Sequence, residues 1–123
     1  MIKYRFIFLF AVMAFGLNAC YYDNVEYLYP SGGDCDTSNV TYANDVWPIV
    51  NSKCTGCHSG TAPSGNVVLE NYDNIKLSGE NGGLLGTIRH DNNWSPMPKG
   101  GSKLQDCDIL KIEVWQTQGY PNN

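Results

Sequence analysis

The stretch Lys53–Gly60, KCTGCHSG, holds two cysteines three positions apart, with a histidine directly after the second. Three chemistries use such a pattern. A structural zinc ion takes four ligands in a tetrahedron, usually as two separated pairs. Cys54 and Cys57 would then need partners among Cys35, His58, His90 and Cys107, and the adjacent Cys57 and His58 do not easily share one tetrahedral ion. A redox dithiol also uses CxxC, but such motifs follow a βα-type strand. Here the residues ahead of Cys54 read as a helix. The third chemistry adds each thiol to a vinyl group of a porphyrin and lets the neighbouring histidine ligate the iron. That linkage needs both the compact spacing and the adjacency, and the other two do not.

On the third reading, the iron commonly takes a second axial ligand, Met or His. Met97 and His90 are the candidates once an N-terminal segment carrying Met1 and Met13 is removed. Met97 lies in WSPMPKGG, Trp94–Gly101, between Pro96 and Pro98. Two prolines restrict the backbone and remove two N–H donors, so a loop can lie against an apolar porphyrin face and present a thioether. A methionine that only fills a core gap usually sits on a helix. His90, or an open position, is the alternative. His90 otherwise reads as a polar group near a porphyrin propionate, a role open equally to Arg89, Trp94 and Lys99, which are also ordinary surface residues.

The chain opens with Lys3 and Arg5, then the apolar run FIFLFAVMAFG (Phe6–Gly16), then LNAC (Leu17–Cys20). That is the order of an export signal. The run is shorter than the roughly 20 apolar residues a membrane span needs. Leu17-Asn18-Ala19-Cys20 resembles the lipobox of bacterial lipoproteins, in which the cysteine is acylated and becomes the first residue. The expected organisation is a signal at 1–19, a lipidated tether at 20–34 containing Pro30-Ser31-Gly32-Gly33, and one domain at 35–123. The whole chain has formal net charge −4. Loss of Lys3 and Arg5 deepens the acidic excess, since every acidic residue lies beyond the signal. Such a surface excludes nucleic acid as a partner and suits one that presents a basic patch.

Four helical patterns cross the domain. NDVWPIVNSKC places Asn44 or Asp45 as a cap, Pro48 in the first turn, and Val46, Ile49 and Val50 on one face. ENYDNIKLS (Glu70–Ser78) and GGLLGTIRH (Gly82–His90) are shorter, the latter with Leu84, Leu85 and Ile88 at helical spacing. DCDILKIEVWQTQG puts Asp106 at the N-cap and Cys107, Leu110 and Val114 with Ile109 and Ile112 on a broad buried face, stopped by Gly119 and Pro121. An all-α domain with long loops follows, and its apolar residues are few enough that something else must fill the middle. Cys35 and Cys107 remain. In an oxidising compartment two spare cysteines most often pair.

These features together resemble the small monohaem c-type cytochromes, in the lipoprotein form found in Bacteroidetes-type bacteria. The resemblance rests on CTGCH at Cys54–His58, on Met97-Pro98, and on DVWPIVNSKCTGCHSG, GGLLGTIRH, SPMPKGG and LQDCDILKIEVW standing in that order. It implies a cytochrome c-like fold of three to four short helices around one covalent haem c, with helices at about 44–53 and 106–118 crossing near the attachment site. It further implies Cys54 and Cys57 as thioether carriers, His58 as proximal ligand and Met97 as distal ligand. Asn18 in the lipobox and the Cys35/Cys107 pair depart from the usual pattern. The function implied is an electron carrier rather than an enzyme, exported and anchored through Cys20 to a bacterial membrane, facing the periplasm or cell surface and serving redox partner proteins. The alternatives are a haem subunit of an oxidoreductase complex, a ligand-sensing or catalytic haem protein with an open sixth position, and a haem-free adhesion lipoprotein stabilised by zinc or stapled by a disulfide.

Overall fold

The computed structural model describes residues 35–123. The expectations for the signal, for Cys20 and for the tether lie outside those residues. The first helical segment starts earlier than the expected cap at Asn44 or Asp45. The Thr41 hydroxyl accepts the Asn44 N–H at 3.2 Å, while the Thr41 N–H donates to the Asp45 carboxylate at 2.9 Å. This reciprocal cap satisfies two groups that a bare helix end leaves orphaned. Tyr42–Val46 forms a π-helical turn that passes straight into helix α1, Trp47–Lys53, with Pro48 in its first turn. Helix α2 spans Tyr72–Glu80 and is capped by the Asn71 side chain, which accepts the Asn74 N–H at 3.0 Å. Helix α3 is Gly83–Arg89 and helix α4 is Asp106–Thr117. Among the described residues the regular structure is helical, with no strand. The expected all-α class is what forms.

The helices meet over one apolar core. Val46 and Val50 come from the first segment, Ile75 from α2, Leu84 and Ile88 from α3, and Ile109, Ile112 and Trp115 from α4, with Val40, Leu69 and Leu104 added by the loops. Each full burial is worth about 1.5–3 kcal/mol in transfer from water. Helix α2 packs on α3, α3 on α4, and α4 on the π turn. That last contact lies at the opposite end of the first segment from Cys54. An ion pair from Lys111 to Asp45 at 2.9 Å spans it, and Arg89 pairs with Glu113 between α3 and α4.

Helix α4 departs from its expected detail in two ways. Gln105, not Asp106, holds the N-cap position, and its side chain makes no capping bond; Asp106 is instead the first helical residue. Leu110, placed on the buried face by its spacing, is 40% exposed, and Trp115 is fully buried in its stead. The Trp115 indole donates to the Pro121 carbonyl at 2.8 Å and packs edge-on against Tyr72 and Tyr120. The helix ends as its Gly119 signal implies, with φ +84° at that glycine. The Gly119 and Tyr120 N–H groups donate to the Gln116 and Trp115 carbonyls, the paired bonds of a Schellman stop.

Candidate functional site

Helix α1 ends at Lys53, and the backbone keeps turning through the motif. The Cys54 N–H donates to the Val50 carbonyl at 2.8 Å, and the Cys54 carbonyl accepts from Cys57 at 3.1 Å and from His58 at 3.0 Å. The turn therefore stacks Cys57 and His58 above Cys54 as residues i+3 and i+4 of a helix would stack. The next loop folds back under the histidine. Ser64 donates to the Cys57 carbonyl at 2.9 Å, Leu69 donates to the His58 carbonyl at 2.8 Å, and the Gly60 N–H donates to the Glu70 carboxylate.

The imidazole is held by the same loop. His58 Nδ1 lies 3.2 Å from the Val67 carbonyl oxygen. A carbonyl only accepts, so Nδ1 carries the proton, and Nε2 of the neutral ring keeps its lone pair. This is how metal-ligating histidines are commonly oriented: one nitrogen donates to a backbone carbonyl and the other is left for the metal.

The cysteines divide into two kinds. Cys35 and Cys107 lie at disulfide distance, S–S 2.05 Å and Cα–Cα 5.6 Å. Cys54 and Cys57 are free thiols, the first half-buried against the core and the second exposed. Burial pushes the Cys54 thiol up to about 11. A disulfide-exchange nucleophile needs the opposite shift, toward thiolate. The zinc reading fares no better: Cys35 and Cys107 are taken up by each other, and among the described residues no three His, Cys, Asp or Glu side chains gather as a metal cage. Two unlinked thiols beside a lone-pair imidazole remain, and this donor set fits thioether attachment of haem.

The loop after α3 presents Met97. Its N–H donates to the Thr87 carbonyl at 3.0 Å, and its own carbonyl accepts from His90 Nε2 at 2.9 Å. His90 therefore carries its proton on Nε2, which serves Met97, and its remaining lone pair lies on Nδ1. Trp94 lies across the glycine face of α3. A Cβ added at Gly86 would stand 2.2 Å from the Trp94 ring, and one at Gly83 would stand 3.5 Å from it. The glycines of GGLLG thus clear a flat bed for the indole. Lys99, a candidate propionate partner, donates to the Ser95 hydroxyl at 2.9 Å, and Arg89 is engaged by Glu113.

Among the described residues no hydrogen bond or ion pair joins the motif to the methionine loop. Each is secured by its own surroundings. Neither a protein-family model, nor a curated protein, nor a solved structure matches the chain. The sequence named Cys54, Cys57, His58, Met97 and His90 as candidates but did not name what orients them: the Val67 and Thr87 carbonyls, the His90 bond to the Met97 carbonyl and the Gly86 bed. Backbone carbonyls leave no mark in a sequence. Only the run of glycines ahead of a tryptophan hinted at the last.

Proposed function

We propose that the chain is a one-electron carrier of the c-type cytochrome kind, holding a single haem c through thioethers at Cys54 and Cys57. The observation that carries the reading is the His58 ring, fixed by Val67 with its Nε2 lone pair available, in the same backbone turn as two free thiols. Haem so bound supplies an Fe(III)/Fe(II) couple. His58 Nε2 and the Met97 thioether would hold its iron, and with both engaged no position would be left for a substrate. Helices α1–α4 are the frame of a cytochrome c-like domain. The acidic excess of the chain suits docking to a basic patch on a redox partner. A lipid at Cys20 would keep the domain on a bacterial membrane outside the cytoplasm.

Spectroelectrochemistry of the haem-loaded protein and of Met97→Ala tests the axial assignment. The expected wild-type result is one reversible one-electron wave, a near-infrared sulfur-to-iron band in the ferric state, and negligible cyanide binding on mixing. Met97→Ala should lose the band, lower the potential and bind cyanide at once. A wild-type protein that already binds cyanide freely supports the open-position, ligand-sensing reading instead.

A further inference from the structure

His90 is held in a costly conformation and points its ring at one atom. It caps α3 with φ +63°, ψ +39°, in the left-handed region. Glycine or asparagine usually fills such a helix-terminating position, and any other L-residue pays about 1 kcal/mol there. Neither Gly nor Asn could do what His90 does. Its Nε2, at the far end of the ring, reaches the Met97 carbonyl at 2.9 Å across seven residues of chain. Thr87, one turn earlier, takes the Met97 N–H at 3.0 Å. The last turn of α3 thus grips both polar groups of the Met97 peptide backbone, while the thioether is left unconstrained by any hydrogen bond.

We infer that His90 is a positioning residue for Met97: a clamp that sets how readily the methionine leaves the iron, rather than a ligand or a propionate partner. The inference rests on the reading of Met97 as an axial donor. The physical reason is that a thioether is a weak ligand. Its residence on iron depends on how far its loop can retreat. A loop held by α3 at both the N–H and the C=O of Met97 has little room to do so, and a single charge-free hydrogen bond is worth several-fold in that equilibrium.

The test uses side chains that separate the donor from its backbone. His90→Gln places an amide nitrogen near the position of Nε2, His90→Asn accepts the left-handed backbone but is too short to reach, and His90→Gly relieves the backbone with no donor. At least one of the last two folds, because both suit φ +63°. Two readouts are taken. Hydrogen exchange of the Met97 N–H reports the loop itself, and the rate of cyanide binding to the ferric protein reports escape of Met97 from iron. Both should rise roughly three- to tenfold in His90→Asn or His90→Gly and return toward wild type in His90→Gln. Unchanged rates in the short variants overturn the clamp. Equal acceleration in all variants, His90→Gln included, also overturns it, because the ring would then act by filling space. If the protein carries no haem, the cytochrome reading fails on its own, and the exchange measurement still decides whether His90 holds the loop.

Discussion

Gly86 and His90 sit on the last turns of the same short helix, and each is matched to a side chain or carbonyl in the loop beyond. At Gly86 the matching is steric. Alanine there would ordinarily favour a helix by about 0.5–1 kcal/mol, yet its Cβ would stand 2.2–2.6 Å from three atoms of the Trp94 ring. Those atoms include the one joined to the side-chain stem, so the whole indole must shift. The expected outcome for Gly86→Ala is a loss of about 1–3 kcal/mol with Trp94 more accessible to an aqueous quencher, read by denaturation and fluorescence. A more stable protein would show that the indole does not rest on the glycine. His58 follows the same logic with a different partner. Spacing in KCTGCH put His58, Cys54 and Cys57 forward as one candidate site, because residues so close in sequence share one local turn. The Val67 carbonyl that chooses the tautomer comes from a loop nine residues on, and no side-chain pattern announces it.

Between elements, two ion pairs hold α4 in place. Burial opposes ionisation of Asp45, but the Thr41 N–H and the Lys111 ammonium outweigh it and keep the carboxyl below its ordinary range. A hydrogen bond from Arg89 holds Glu113 low in the same way. A carboxyl depressed in the folded chain contributes stability at pH above its unfolded pKa and loses that contribution as pH falls through the folded value. Thermal stability should therefore be level above about pH 5 and decline below about pH 4. Asp45→Asn should cost about 2 kcal/mol at neutral pH and flatten the acid limb. Glu113→Gln should cost less than about 1 kcal/mol, because that pair is half-exposed and screened. An acid limb unchanged in Asp45→Asn would mean that Lys111 and Asp45 do not link α4 to the π turn. The four helices were legible from capping residues, glycine stops and apolar spacing, and α3 matches its expected span to within a residue at each end. The faces were less so. Apolar residues run nearly all round α4, so periodicity could not choose between Leu110 and Trp115. The choice falls to Trp115 because its indole N–H finds the Pro121 carbonyl while its ring fills the space between Tyr72 and Tyr120. The early start at Thr41 was hidden because an alternative cap, Asn44 or Asp45, stood nearby.

Across the described domain, a covalent link does part of what a larger core would do. The Cys35–Cys107 bridge ties the beginning of the described domain to the first turn of α4 over a separation of 72 residues. Loop entropy alone assigns such a closure roughly 4 kcal/mol. Thioethers at Cys54 and Cys57, if formed as proposed, would fall inside that loop and restrict it. Replacing both Cys35 and Cys107 by serine should therefore lower the denaturant midpoint strongly in haem-free chain and less in haem-loaded chain. Equal losses in the two would show that the haem does not cross-link the loop. The haem-dependent expectations all rest on the proposed attachment of haem at Cys54 and Cys57. Intact mass under denaturing conditions, after expression with a cytochrome c maturation system, tests it most directly. The expected mass is polypeptide plus one haem that survives denaturation, and bare polypeptide when Cys54 and Cys57 are both changed to serine. Bare polypeptide from the unaltered chain would contradict it.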